Sequence, residues 1–104
     1  MANFTPTPEM IALREAIDAL DAQIEVLLNQ RAMAVVKIGQ AKRELGLPVY
    51  DAAREADIFR RLDELNPGPL ENVAIRRIYE RMLDEFRRLE RLHQQMTVPT
   101  ENKS

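Results

Sequence analysis

The chain has no cysteine, no tryptophan and only three glycines among its 104 residues. Without thiols, neither a disulfide framework nor a thiolate metal site is available, and the chain suits a reducing compartment. A single histidine, His93, cannot build a zinc site. There is no excess of positive charge: fifteen Lys and Arg against seventeen Asp and Glu give a formal net charge of −2. The cations are interleaved with the acids and form no basic block, which argues against a general nucleic-acid binder. No apolar run approaches a membrane span, and the first eight residues carry neither a basic region nor an apolar core, so a soluble, cytoplasmic protein is expected. What is abundant is Leu, Ala, Arg and Glu, with charged residues at 31 % and aromatics at 5 %. That is the composition of long helices in one small domain.

Thr5-Pro6-Thr7-Pro8 disfavours helix, and residues 1–8 are expected to form a flexible segment. From Pro8 to Leu45 only Gly39 interrupts the helix formers, and Gly46 followed by Pro48 is a stop signal. The reading is a helix of nearly forty residues. Leu47-Pro48-Val49-Tyr50 reads as extended, and Asp51 is placed to cap a second helix carrying Ala52, Ala53, Ile58, Leu62 and Leu65. Asn66-Pro67-Gly68-Pro69 ends that helix abruptly. A third runs from about Leu70 to Met96, with Val73, Ile75, Ile78, Tyr79, Met82, Phe86, Leu89 and His93 near one face. The fold class is all-α, with a helical domain over residues 9–96 and a polar tail, 97–104, expected to be disordered.

The first helix would be roughly 55 Å long at ~1.5 Å per residue, whereas a globule of this size has a radius of gyration near ~13 Å. A lone three-helix monomer would leave much of the stripe Leu13, Ile17, Leu20, Ile24, Leu27, Ala34, Ile38 in water. An intertwined helical homodimer is therefore expected.

Arg31 and Lys42 interrupt that stripe on its own seam. At ~100° per residue they lie within roughly 20° of one another and roughly 16 Å apart along the axis. Either alone reads as a stem laid on apolar surface with its charge lifted into solvent. Two in register bring an anion site level with that reading. Arg14 is rotated roughly 100° from the seam, onto a flank with Asp18, Asp21 and Glu25, where periodicity favours a surface arginine paired to Asp18. In an antiparallel dimer such a flank residue can reach the partner's seam. Asp51 and Glu55 share a face beside Arg54, and are most simply a cap and a first-turn acid. Glu90, four residues after Phe86, borders the apolar face, and spacing alone favours a rim carboxylate over a buried one that keeps its proton. His93 reads as a packed histidine, since no Ser or Cys nucleophile accompanies it.

The order Leu13-Arg14-Glu15-x-Ile17-Asp18-x-Leu20-Asp21, then Arg31, Gly39-x-x-Lys42 and Pro48-Val49-x-Asp51-x-x-Arg54-Glu55, resembles the all-helical AroQ-type chorismate mutases over roughly residues 10–96. The combination is far more specific than any of its parts. The resemblance implies three helices per chain intertwined into a dimer with two active sites. It implies that chorismate, a dicarboxylate, is bound by Arg31 and by Arg14 of the partner chain, with Arg54 adding positive charge. Asp51 and Glu55 would accept from the ring hydroxyl, and Lys42 would donate to the ether oxygen whose bond breaks. Aligning the third helix puts Glu90 where the family commonly has a glutamine as second donor, though some members carry glutamate there. Phe86 stands where the family has a small hydroxyl residue, which loses one substrate contact.

The implied Claisen rearrangement to prephenate is concerted and unimolecular, and needs no metal or organic cofactor. Arginines on a rigid bundle would fold the substrate into its reactive conformation, while Lys42 and Glu90 stabilise the negative charge growing on the ether oxygen. Glu90 can donate only while it keeps its proton, which an apolar setting favours and nearby Lys42 opposes. The alternatives are a related enzyme on the same fold, either a 4-amino-4-deoxychorismate mutase or an isochorismate pyruvate lyase, or a non-catalytic helical dimerisation or regulatory module.

Overall fold

The computed structural model describes residues 4–97 as three helices: α1 (Pro8–Leu45), α2 (Ala52–Leu65) and α3 (Asn72–Thr97). Residues 1–3, and residues 98–104 of the expected tail, lie outside the described residues. The chain divides into two compact units, Met1–Met33 and Ala34–Ser104.

In the first unit the helix starts where local chemistry dictates. Thr7 Oγ1 accepts from the Met10 amide at 3.1 Å and the Thr7 carbonyl accepts from Ile11 at 3.0 Å. Thr7 is thus the cap, and Pro8, which has no amide hydrogen to leave unsatisfied, is the first helical residue. Leu13, Ile17, Leu20, Ile24 and Leu27 are 52–62 % exposed. The seam that periodicity marks as apolar is therefore uncovered in the single chain.

In the second unit α1 ends in a glycine-capped turn. Gly46 takes φ 72°, the Leu47 amide donates to the Lys42 carbonyl at 2.8 Å and the Gly46 amide to Arg43 at 3.2 Å. Both bonds satisfy carbonyls that the helix end would otherwise orphan. Asp51 Oδ1 caps α2 by accepting from the Arg54 amide at 3.0 Å. The turn after α2 is tied by one side chain: Asn66 Nδ2 donates to the Leu70 carbonyl and to Asn72 Oδ1, each at 2.7 Å, and its Oδ1 accepts from Gly68 at 3.0 Å. That knot holds Leu70 and Glu71 out of the helix, so α3 begins two residues later than the sequence suggests.

Helices α2 and α3 are in contact; Ile58, Phe59 and Leu62 of α2 and Ile75, Tyr79 and Met82 of α3 are half-buried, and Leu83 of α3 is 5 % exposed. They are also joined by Arg76, which donates to Asp63 at 2.8 Å and lies 5.1 Å from the centre of the Phe59 ring. Val73 and Ile78, expected on the inward face, are 54 % and 50 % exposed. The inward face turns instead through Ile75, Tyr79, Met82, Leu83, Phe86 and Glu90, a spacing of three and four residues. Among the described residues, no helix is long and apolar enough to cross a membrane.

Candidate active site

Lys42 sits in the last turn of α1, where the Leu47 amide engages its carbonyl and its ammonium donates to the Val49 carbonyl at 2.8 Å. The chain turn at Gly46 thus folds the Leu47–Tyr50 segment back over the lysine. Its Nζ stands 3.3 Å from Glu90 Oε2, and the two side chains are only 17 % and 7 % exposed. Glu90 departs from what spacing favours: it is buried, not a rim carboxylate. The reason lies on the other helix, where Gly39 presents bare backbone to it and Gln94 Nε2 donates to the Gly39 carbonyl at 3.4 Å. Val36, Gly39, Gln40, Arg43, Glu90, His93 and Gln94 line a small recess at this crossing.

A second group lies where α2 begins. Glu55 accepts from Arg87 Nη1 of α3, and the same guanidinium donates to Asp84 and lies 5.8 Å from the centre of the Tyr50 ring. The hydrogen bond with Glu55, and secondarily its charge and that of Asp84, hold the Arg87 guanidinium above its ordinary pKa. Glu55, Phe59, Glu80, Leu83, Asp84 and Arg87 line an open cleft between α2 and α3. Arg54 is exposed and contacts Asp57 at 3.4 Å. Asp57 lies below the usual carboxylate range, chiefly through its hydrogen bond with Arg60.

Lys42, Asp51, Arg54, Glu55, Phe86 and Glu90 all belong to the second unit, and of these the structure pairs Lys42 with Glu90 directly. Phe86 is half-buried one turn before Glu90. Arg14 and Arg31 belong to the first unit: Arg31 is half-buried, and the Arg14 guanidinium lies 6.0 Å from the centre of the Phe4 ring. Sequence reasoning missed Arg87, whose partner Glu55 is 32 residues away. The one local signal was Asp84 three residues before it.

A part-buried lysine set 3.3 Å from a buried carboxylate where two helices meet has the makings of an electrostatic catalyst, one that stabilises charge developing on a bound substrate. Comparison with known proteins gives the particular family. Residues 13–91 match the family model of chorismate mutase type II, and the chain belongs to that family. It is 38 % identical over 82 residues to a bifunctional chorismate mutase/prephenate dehydratase of Neisseria gonorrhoeae, a match covering 79 % of this chain and 22 % of that protein. It is 39 % identical over 67 residues to the intracellular chorismate mutase of Mycobacterium bovis, 64 % of each chain. A solved structure of chorismate mutase (form II) from Thermus thermophilus superposes with a TM-score of 0.78 at 35 % identity, covering 80 % of this chain and 94 % of that one. The chain spans under a quarter of the length of the bifunctional relatives.

Proposed function

We propose that this chain is a chorismate mutase, rearranging chorismate to prephenate on the route to phenylalanine and tyrosine. The observation that carries the reading is the close pair of part-buried Lys42 and buried Glu90, 3.3 Å apart, in a chain of this family. Two donors so placed can both reach one ether oxygen: Lys42 through its ammonium, Glu90 through its carboxylic acid proton. As the ether bond lengthens, its oxygen gains negative charge and both hydrogen bonds strengthen, so the stabilisation is greater in the transition state than in the bound substrate.

Arg31, with Arg14 of a second chain, clamps the two carboxylates and holds the enolpyruvyl arm over the ring. Arg54 adds positive charge nearby, Asp51 and Glu55 accept from the ring hydroxyl, and Phe86 walls the pocket. The homodimer is supported by the seam from Leu13 to Leu27, whose exposure in one chain is that of a surface awaiting cover. A cysteine-free chain fits a cytoplasmic setting.

The test is a continuous assay of chorismate loss, with the product identified by acid conversion to phenylpyruvate. Phenylpyruvate formation by the native chain, largely lost in Arg31→Ala, is the expected result; no turnover would overturn the reading. Arg14→Ala and Arg31→Ala, each inactive alone, should regain activity when mixed and allowed to exchange subunits. Absence of rescue despite proven heterodimers would exclude a shared site.

A further inference from the structure

The Gly39-x-x-Lys42 pattern sets a glycine almost one turn before the lysine, and the chemistry proposed above makes no use of it. Glycine is a poor helix former, so its place inside α1 calls for a compensating reason. Gly46 and Gly68 have theirs in a φ of 72°, with open space around them. Gly39 is different: it is the buried residue of α1. A Cβ built on it would meet Glu90 Cγ at 2.7 Å, Cδ at 3.3 Å and Oε2 at 3.4 Å. Cγ is near the root of the glutamate, so it can yield only if Glu90 changes rotamer or α3 retreats. Retreat is opposed one turn further on, where Gln94 Nε2 donates to the Gly39 carbonyl at 3.4 Å.

We infer that Gly39 is a positioning residue for Glu90: its missing side chain is the slot that seats the glutamate stem and brings the carboxylate to Lys42. The inference rests on the donor role given to Glu90 above. An alanine at 39 forces Cγ back by roughly 0.7 Å merely to restore ordinary contact at 3.4 Å, and the carboxylate moves with it. A misplacement near ~1 Å suffices to slow a reaction by about 100-fold.

The experiment compares Gly39→Ala, Glu90→Ala and the double variant of the full chain, measuring kcat and KM for chorismate and thermal unfolding. Glu90→Ala should lower kcat about 100- to 1000-fold, still above the uncatalysed rate. Gly39→Ala should lower kcat about 10- to 100-fold with KM changed by less than about threefold, since the arginine clamps are untouched. In the Glu90→Ala background the same substitution should change kcat by less than about twofold and raise the melting temperature, alanine being the better helix former. If Gly39→Ala fails to fold but the double variant folds, the slot is equally supported. An equal loss in both backgrounds, or unfolding in both, overturns it. If Glu90→Ala works at the native rate, the donor role of Glu90 falls and the inference with it, an outcome distinct from failure of the slot alone.

Discussion

Replacing Arg87 with methionine keeps the aliphatic stem and removes the guanidinium from Glu55, Asp84 and Tyr50 at once. The Arg87 and Glu55 side chains are 21 % and 20 % exposed. The pair therefore lies between exposed ion pairs, worth ~0–1 kcal/mol, and buried ones, whose breaking costs ~3–5 kcal/mol. A loss of about 2 kcal/mol follows, within which the contact with the Tyr50 ring contributes ~0.5–1 kcal/mol. For a chain of this size that lowers the melting temperature by roughly 10 °C. Glu55→Gln and the double variant complete a cycle that isolates the pair, with an expected coupling of about 1 kcal/mol. Unfolding must be followed at one fixed protein concentration, because assembly would make the midpoint concentration-dependent. If Glu55 is the acceptor for the ring hydroxyl, KM for chorismate should rise in the same variant. A coupling below about 0.3 kcal/mol would show that the guanidinium is a surface charge with no hold on Glu55, and the reasoning would fail.

If Glu90 donates to the ether oxygen as proposed, Glu90→Gln, whose amide donates without needing an added proton, should make kcat/KM less dependent on pH than in the native chain; an unchanged profile would remove Glu90 from the chemistry. Leu83→Ala empties the centre of the α2–α3 packing and should cost about 2–4 kcal/mol by chemical denaturation, while a cost under about 1 kcal/mol would mean that the surrounding helices collapse onto the space. Asp57 is held below its ordinary value of 3.8, chiefly by Arg60. Its contribution is therefore complete above about pH 4 and lost as pH falls through the lower folded value. Stability measured between about pH 4 and pH 2 should fall less steeply in Asp57→Asn than in the native chain, and identical slopes would show the Arg60 contact to be idle.

The helix ends are legible in the sequence because each is set by residues within a few positions of it. Gly46 and Pro48 stop α1 at Leu45, Asp51 starts α2, and Asn66-Pro67 stops it at Leu65. The start of α3 is not, because Asn66 reaches forward to Leu70 and Asn72, a side-chain knot that no propensity scale records. Lys42 is legible as a cation out of place on an apolar seam. The burial of Glu90 is hidden, since the rotation of a helix about its axis is decided by what it packs on, and the deciding feature is a glycine on a different helix, Gly39. Arg87 stays hidden for the same reason: its pairing with Glu55 across two helices leaves no periodic trace. Resemblance to the family supplied the placement of Glu90 that periodicity could not.

Among the described residues Leu83 is a buried apolar side chain and Glu90 is buried to the same 5 % exposure. Lys42 donates to the Val49 carbonyl, and Glu90 Oε2 is paired by charge with the same ammonium at 3.3 Å but accepts no hydrogen bond. A buried acceptor left in that state costs about 1–3 kcal/mol. Stability alone would favour an apolar residue at 90 and, were that residue to carry no Cγ into the space beside 39, an alanine at 39; the chain has neither. Departures from local rules that cost stability gather where function resides, and Gly39, Lys42 and Glu90 are three such departures meeting at one crossing. A substrate oxygen that accepts from Lys42 and from protonated Glu90 would satisfy both, most fully when its own bond is breaking. The arginine clamps proposed for Arg31 and Arg14 would meet carboxylates whose charge is the same before and during the reaction. On the proposed mechanism the larger share of the electrostatic rate enhancement would belong to the lysine and glutamate, where the charge changes.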